Sequence, residues 1–142
     1  VADPVIQAYL QALEAPIREY MGMLGNNPDH PMCRRNTGDY RLNGCWSVRL
    51  TGGGHHVSHM HPEGWISSAY YVRVPKSAPG SRSGWIHFSQ PPFSTQPQLE
   101  PERWVEPASG MLVLFPSYLW HGTEPIVDDA VRITAPFDAV PV

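Results

Sequence analysis

The chain has 142 residues, 42% of them hydrophobic and 16% charged. That suits one folded domain and excludes a disordered polar tail or a charge-stabilised helical rod. Ten lysines and arginines against thirteen aspartates and glutamates give a net charge of −3, so no basic field draws the chain to nucleic acid. The longest apolar run, Met111 to Phe115, is far short of the ~20 residues that span a bilayer, and no membrane partner is expected.

Sixteen prolines and twelve glycines interrupt the chain too often for long helices, so strands and turns should dominate after the first segment. That segment carries the one good helical period, at Ile6, Leu10, Leu13, Ile17, Tyr20 or Met21, and Leu24. Asp3 and Pro4 make an N-cap and first-turn pair, and Gly25 with Asn26 gives the stop signal. Pro16 should kink this helix or divide it in two, because proline removes a donor and clashes with the preceding turn. Residues 26–43 are rich in turn formers and read as loop.

Beyond them, short apolar stretches alternate with Gly and Pro clusters. Strands are expected at Cys45 to Leu50, Trp65 to Val74, Gly84 to Phe88, Met111 to Phe115 and Val131 to Phe137. No helical pattern separates them, which excludes βαβ units and points to an antiparallel barrel, sandwich or jelly roll. The expected organisation is a helical segment, residues 1–25, packing on a β domain, residues 26–142. Cys33 and Cys45 have neither CxxC nor zinc-ribbon spacing; they read as reduced thiols of a cytoplasmic protein, with one disulfide as the alternative. The chain begins at Val1 without methionine, which fits a piece of a longer protein.

Of seven histidines, His55, His56, His59 and His61 crowd into GGGHHVSHMHPEGW, and His121 stands in LFPSYLWHG. Residues two apart on a strand share a side, so His59 and His61 can offer imidazole nitrogens to one ion, with His121 closing a three-point face. Such a set suits Fe, Zn, Cu or Ni and leaves positions open for substrate. The plainer reading is an HxH that arose by chance beside a glycine-rich loop. His55 and His56 read as loop residues, at most one of them inward-facing, and His30 and His87 as structural. Arg132 and Thr134 share one face of the last strand by the same period. An arginine buried in a barrel mouth is costly unless it grips an anion, and its planar fork suits a carboxylate; the alternative is a surface arginine on an edge strand.

Taken in order, HMHPEGWISSAYYVRVP, GWIHFSQPP, PASGMLVLFPSYLWHGTEP and VRITAPFD resemble the iron(II)- and 2-oxoglutarate-dependent dioxygenases. Their pattern is HxD/E, a distant His, then Arg-x-Ser/Thr, and the likeness is to a bacterial subgroup with an H-x-H-P start. It covers about Gly44 to Asp138. It implies a mainly β, double-stranded β-helix (a cupin-like jelly roll), with His59, His61 and His121 on Fe(II). It further implies Arg132, Thr134 and Tyr71 on the distal carboxylate of 2-oxoglutarate, and Ser67, Ala69 and Tyr71 along one inner face. The chain departs from the general pattern in having His61 where Asp or Glu is wanted. Glu63 is the alternative acid, since His61-Pro62-Glu63 reads as HxE, but Pro62 and Gly64 suggest that the strand has ended by then. Cupins share part of the spacing through Gly53, His59, His61, Gly110, Pro116 and His121, but Trp65 and Ile66 stand where their glutamate belongs and Tyr118 replaces a glycine.

The activity implied is hydroxylation of a C–H bond, in a small molecule or a protein side chain, with release of succinate and carbon dioxide. Trp65, Trp85, Phe88, Trp104 and Trp120 are candidate walls of the pocket, or else packing residues. The competing readings are a cupin-type metal protein and a non-catalytic, metal-stabilised binding module.

Overall fold

The structure, a computed structural model, describes residues 2–127 and 129–142. It divides into two compact units, Val1–Arg41 with Val140–Val142, and Leu42–Ala139.

The first unit holds α1 (Pro4–Ala12) and α2 (Glu14–Leu24). The Asp3 carboxylate accepts from the backbone N–H of Val5 at 2.8 Å and of Ile6 at 3.2 Å, satisfying donors that the helix itself leaves unpaired. The break at Leu13 puts Pro16 in the first turn of α2, where its missing N–H costs no hydrogen bond. Gly25, at φ +63°, ends α2, and the Asn36 side chain donates to the carbonyls of Met21 and Gly25, both at 2.9 Å. Leu13, Ile17 and Met21 are buried, whereas Ile6, which begins the expected apolar stripe, is 44% exposed. His30 is structural: its Nδ1 accepts from the N–H of Met32 and of Cys33, at the start of a 3-10 turn, Cys33–Arg35.

The expected loop over residues 26–43 ends early. β1 (Tyr40–Cys45) alternates half-buried and exposed residues, a period of two hidden by the turn formers Asn43 and Gly44. There follow β2 (Val48–Leu50), β3 (His56–His59), β4 (Ile66–Arg73), β5 (Ile86–Phe88), β6 (Arg103–Val105), β7 (Leu112–Pro116), β8 (His121–Thr123), β9 (Arg132–Thr134) and β10 (Phe137–Pro141). The stretch Val131 to Phe137 is therefore two strands, parted at Ala135 and Pro136, where proline has no N–H to give to a ladder. β6 and β8 were not anticipated, because three residues are too few to display alternation.

One sheet runs β1-β10-β4-β9-β2, with β7 also on β4; the other runs β3-β8-β5-β6. β4 is the hub. Ile66 to Tyr70 pair with Pro116 to Leu112 on one side, while on the other Ser67 lies opposite Asp138 and Tyr71 opposite Thr134. The fold is mainly β and antiparallel, as the jelly-roll expectation requires. Ile86, Phe88 and Phe115 form a core cluster with Ala69, Val105, Val113 and Leu119 against it. The Phe88 and Phe115 rings meet edge to face at 5.1 Å. No helix among the described residues is long and apolar enough to cross a membrane.

Gly122 is a point of close approach. A Cβ there would lie 2.7 Å from the His87 ring and 2.8 Å from the His56 carbonyl oxygen. Gly122→Ala is therefore expected to cost about 1–3 kcal/mol by overpacking, seen as a lower urea midpoint; an unchanged midpoint would contradict this packing.

Candidate metal centre

The antiparallel register of β3 and β8 sets His59 directly across from His121. His61 lies two residues past the end of β3, so strand alternation alone does not aim it. The following turn does. The His61 N–H donates to the Ser117 carbonyl at 2.9 Å, and the His61 carbonyl accepts from the Gly64 N–H at 3.0 Å. Residue 64 must be glycine for this turn to close, because a Cβ there would run into the Ser117 side chain. The three rings converge, with centroids 4.3 Å apart for His59 and His121, 5.0 Å for His61 and His121, and 5.2 Å for His59 and His61. One ring nitrogen from each lies within 4.8 Å of the others, a group that could hold a metal ion.

The other ring nitrogens decide which atoms are offered. His59 Nδ1 is 2.7 Å from the Val57 carbonyl, His121 Nδ1 is 3.0 Å from the Leu119 carbonyl, and His61 Nδ1 is 2.7 and 2.9 Å from the two oxygens of Asp138. All these partners are acceptors, so each Nδ1 carries the proton and each Nε2 keeps a lone pair for a metal. Burial pushes His121 down to about 4, and its hydrogen bond to Leu119 opposes this only in part.

Asp138 was not anticipated. Its carboxylate also accepts from Ser67 Oγ at 2.7 Å, and Ser67 Oγ lies 2.8 Å from Ser117 Oγ. Burial raises the Asp138 pKa, but the hydrogen bonds with His61 and Ser67 outweigh it, leaving the carboxyl below its ordinary range. The signal available in the sequence was an acid inside an otherwise apolar strand, FDAVP. Glu63 is exposed, in the turn, and outside the histidine cluster.

One cavity of about 80 Å³ takes in all three histidines together with Arg132, Tyr71 and Thr134. Arg132 is 3% exposed. Its Nη1 donates to the Gly84 carbonyl at 2.9 Å, its Nε has no hydrogen-bond partner, and no carboxylate among the described residues pairs with it. The guanidinium carbon stands 5.5 Å from the centre of the Tyr71 ring. Tyr71 is pushed up to about 12 by burial, Arg132 pulling the other way, so its hydroxyl keeps its proton.

The loop expected at His56 needs correction, while the aromatic candidates take their packing alternative. His56 is the first residue of β3 and lines the cavity, not a loop. His59 is three positions further on, so simple alternation would face the two apart, but the pairing register shifts between them. The tryptophan of the wall is Trp46, on the link between β1 and β2; Trp65, Trp85, Phe88, Trp104 and Trp120 do not line the cavity. Trp65 is a core residue, 1% exposed, and Trp104 donates to Glu124 at 3.1 Å beneath the Arg82 guanidinium. Ala69 and Tyr71 line the cavity, while Ser67 lies beside it, bonded to Asp138.

Fold and site together define a jelly-roll protein with a three-histidine candidate metal centre and a buried arginine in one cavity. Residues 44–138 match the model of the family described as "Putative 2OG-Fe(II) oxygenase", and the chain belongs to that family. No curated protein sequence matches it. Among solved structures, it is similar to an oxidoreductase of the 2OG-Fe(II) oxygenase family from Burkholderia pseudomallei (13% identity, TM-score 0.56, covering 81% of this chain and 55% of that one). A prolyl-4-hydroxylase from Pseudomonas putida shows 16% identity and a TM-score of 0.53, covering 78% of this chain and 58% of that one. Apo HygX from Streptomyces hygroscopicus gives 16%, 0.52, 73% and 59% on the same measures. The chain thus spans somewhat more than half the length of these solved chains, and at such identities the likeness speaks for the fold.

Membership of this family implies Fe(II) as cofactor and 2-oxoglutarate as cosubstrate. The residues fit both. Three Nε2 lone pairs suit a borderline cation, and a buried guanidinium with an unpartnered Nε suits the far carboxylate of a diacid.

The depressed His121 pKa gives a pH dependence. In metal-free protein the unfolded chain takes up a proton near pH 6.5, while folded His121 resists until about 4. Its contribution to stability is therefore whole above pH 6.5 and is lost as pH falls toward 4. Metal-free His121→Asn is expected to show a flatter decline of urea midpoint over that range than the parent; parallel curves would contradict the burial argument.

Proposed function

We propose that this chain is the catalytic domain of an Fe(II)- and 2-oxoglutarate-dependent dioxygenase that hydroxylates a C–H bond in a small molecule or a protein side chain. The observation that carries this reading is the presence of the histidine cluster and the unpaired, buried Arg132 in one cavity. A cupin-type protein or a metal-stabilised binding module has no use for a desolvated guanidinium without a counter-ion, which costs several kcal/mol unless an anion arrives.

When bound, iron and 2-oxoglutarate supply oxygen-dependent chemistry that yields succinate, carbon dioxide and a hydroxylated product. The chain's own groups bind and orient. His59, His61 and His121 hold the metal through Nε2, their rings fixed by Val57, Asp138 and Leu119. Arg132, steadied by the Gly84 carbonyl, grips the distal carboxylate, with the hydroxyls of Tyr71 and Thr134 as further donors. Ile86 and Phe115 form apolar cavity wall and keep water from the reacting centre. Cys33 and Cys45 are unpaired, which supports a reducing, cytoplasmic setting. The acidic balance supports neither nucleic acid nor membrane as a partner.

Anaerobic addition of Fe(II) and 2-oxoglutarate to folded protein is expected to produce the weak visible charge-transfer band of a chelated complex. Its absence from iron-loaded protein would remove the oxygenase reading. His59→Ala, His61→Ala and His121→Ala should each lose bound iron, and Glu63→Ala should keep it; iron retained in His59→Ala but lost in Glu63→Ala would move the ligand set to Glu63. Arg132→Ala should raise the 2-oxoglutarate requirement by about 10²-fold or more, as expected for loss of a buried charge-assisted contact, while iron content stays near normal. An unchanged requirement would take the carboxylate away from Arg132.

A further inference from the structure

Three neutral imidazoles leave the proposed metal site without an anionic ligand of its own. The structure supplies an anion one bond further out. Both Asp138 oxygens face His61 Nδ1, at 2.7 and 2.9 Å, and the Asp138 side chain is only 16% exposed. No Lys or Arg among the described residues pairs with that carboxylate. Its remaining neighbour is Ser67 Oγ, a neutral donor at 2.7 Å, itself tied to Ser117. Register fixes the arrangement, because Asp138 lies directly opposite Ser67 in the β10 to β4 pairing. Asp138 is thus a half-buried charge whose hydrogen-bonding geometry is directed at one metal-facing imidazole and at the hydroxyl that holds it there. His59 and His121 have only carbonyl partners in the equivalent place.

We propose that Asp138 is a positioning residue that gives the metal site, through His61, the negative charge that a carboxylate ligand would otherwise bring. The proposal rests on the reading of the three histidines as ligands. A carboxylate on the far nitrogen makes an imidazole a stronger donor and fixes its tautomer, and His61 differs from the other two ligands in just this respect. The charge has been moved outward from residue 61 to residue 138, so that a neutral side chain at the ligand position no longer means a neutral site.

Charge can be separated from shape. Asp138→Asn keeps an acceptor oxygen for His61 but removes the charge, and the readout is Co(II) or Fe(II) affinity by competition with a chromophoric chelator, without turnover. Wild type should bind metal about 10- to 100-fold more tightly than Asp138→Asn, the range found for such outer partners. The same change is then made in a His61→Asp background. There the ligand at residue 61 has no ring for Asp138 to act through, so Asp138→Asn should change metal affinity far less than it does in the His61 protein. A purely structural role, or simple damage to the fold, would weaken binding equally in both backgrounds. The proposal is overturned if Asp138→Asn binds as tightly as wild type, or if the loss is as large in the His61→Asp background. Failure of the ligand reading itself looks different, since wild type would then bind no metal or would keep it in His121→Ala.

Discussion

The site depends on one register. β3 and β8 come from distant parts of the chain, and their antiparallel pairing lays His59 across from His121, within reach of a shared ion. A slip of one residue would turn one of the two imidazoles to the opposite face. Several features guard against it. Phe88 pairs with His121 on the other side of β8, and Phe115 packs its ring 4.6 Å from that of His121, so the buried imidazole is held between the ladder and the core. Gly122 lets the strands approach where any side chain would strike His87.

β4 is the second organiser. It is bonded to three others, and it uses each neighbour for a different purpose. Opposite β7 it closes the apolar core. Opposite β10 it brings Ser67 to Asp138, and opposite β9 it brings Tyr71 to Thr134, beside Arg132. The pairing that orients Asp138 beside His61 and the pairing that sets Thr134 near Arg132 are thus made by successive stretches of one strand.

The parts of this site visible in the sequence are those that follow strand alternation or carry a spaced motif. Arg132 and Thr134 are both buried on the cavity side, as a period of two requires. HxH by itself arises readily by chance; His59 and His61 stand out in company with the distant His121 and the Arg132-x-Thr134 pair. What stayed hidden depends on departures from alternation or on long-range pairing. His56 faces inward because of a register shift, which no residue type announces. Asp138 lies 77 positions from His61, and only the sheet order reveals that they meet. Trp46 reaches the cavity from a two-residue link that reads equally well as the middle of one longer strand.

Electrostatics then explains why a cavity of this kind waits for its ligands. Arg132 is desolvated with no carboxylate among the described residues paired with it, and the histidine cluster would seat a second positive charge once metal is bound. Asp138 is engaged with His61 and Ser67 and does not line the cavity. An empty cavity therefore leaves a buried guanidinium uncompensated, and a metal alone would add to the imbalance. A dianion with one carboxylate at each end answers both demands, because a single molecule sets one negative charge against the metal and one against the guanidinium. A monocarboxylate would satisfy one end and leave the other charge buried without a partner. In a medium of low polarity that difference amounts to several kcal/mol, so on the proposed reading a preference for a diacid follows from one cavity that takes in both the histidines of β3, β8 and the turn after β3 and the guanidinium of β9.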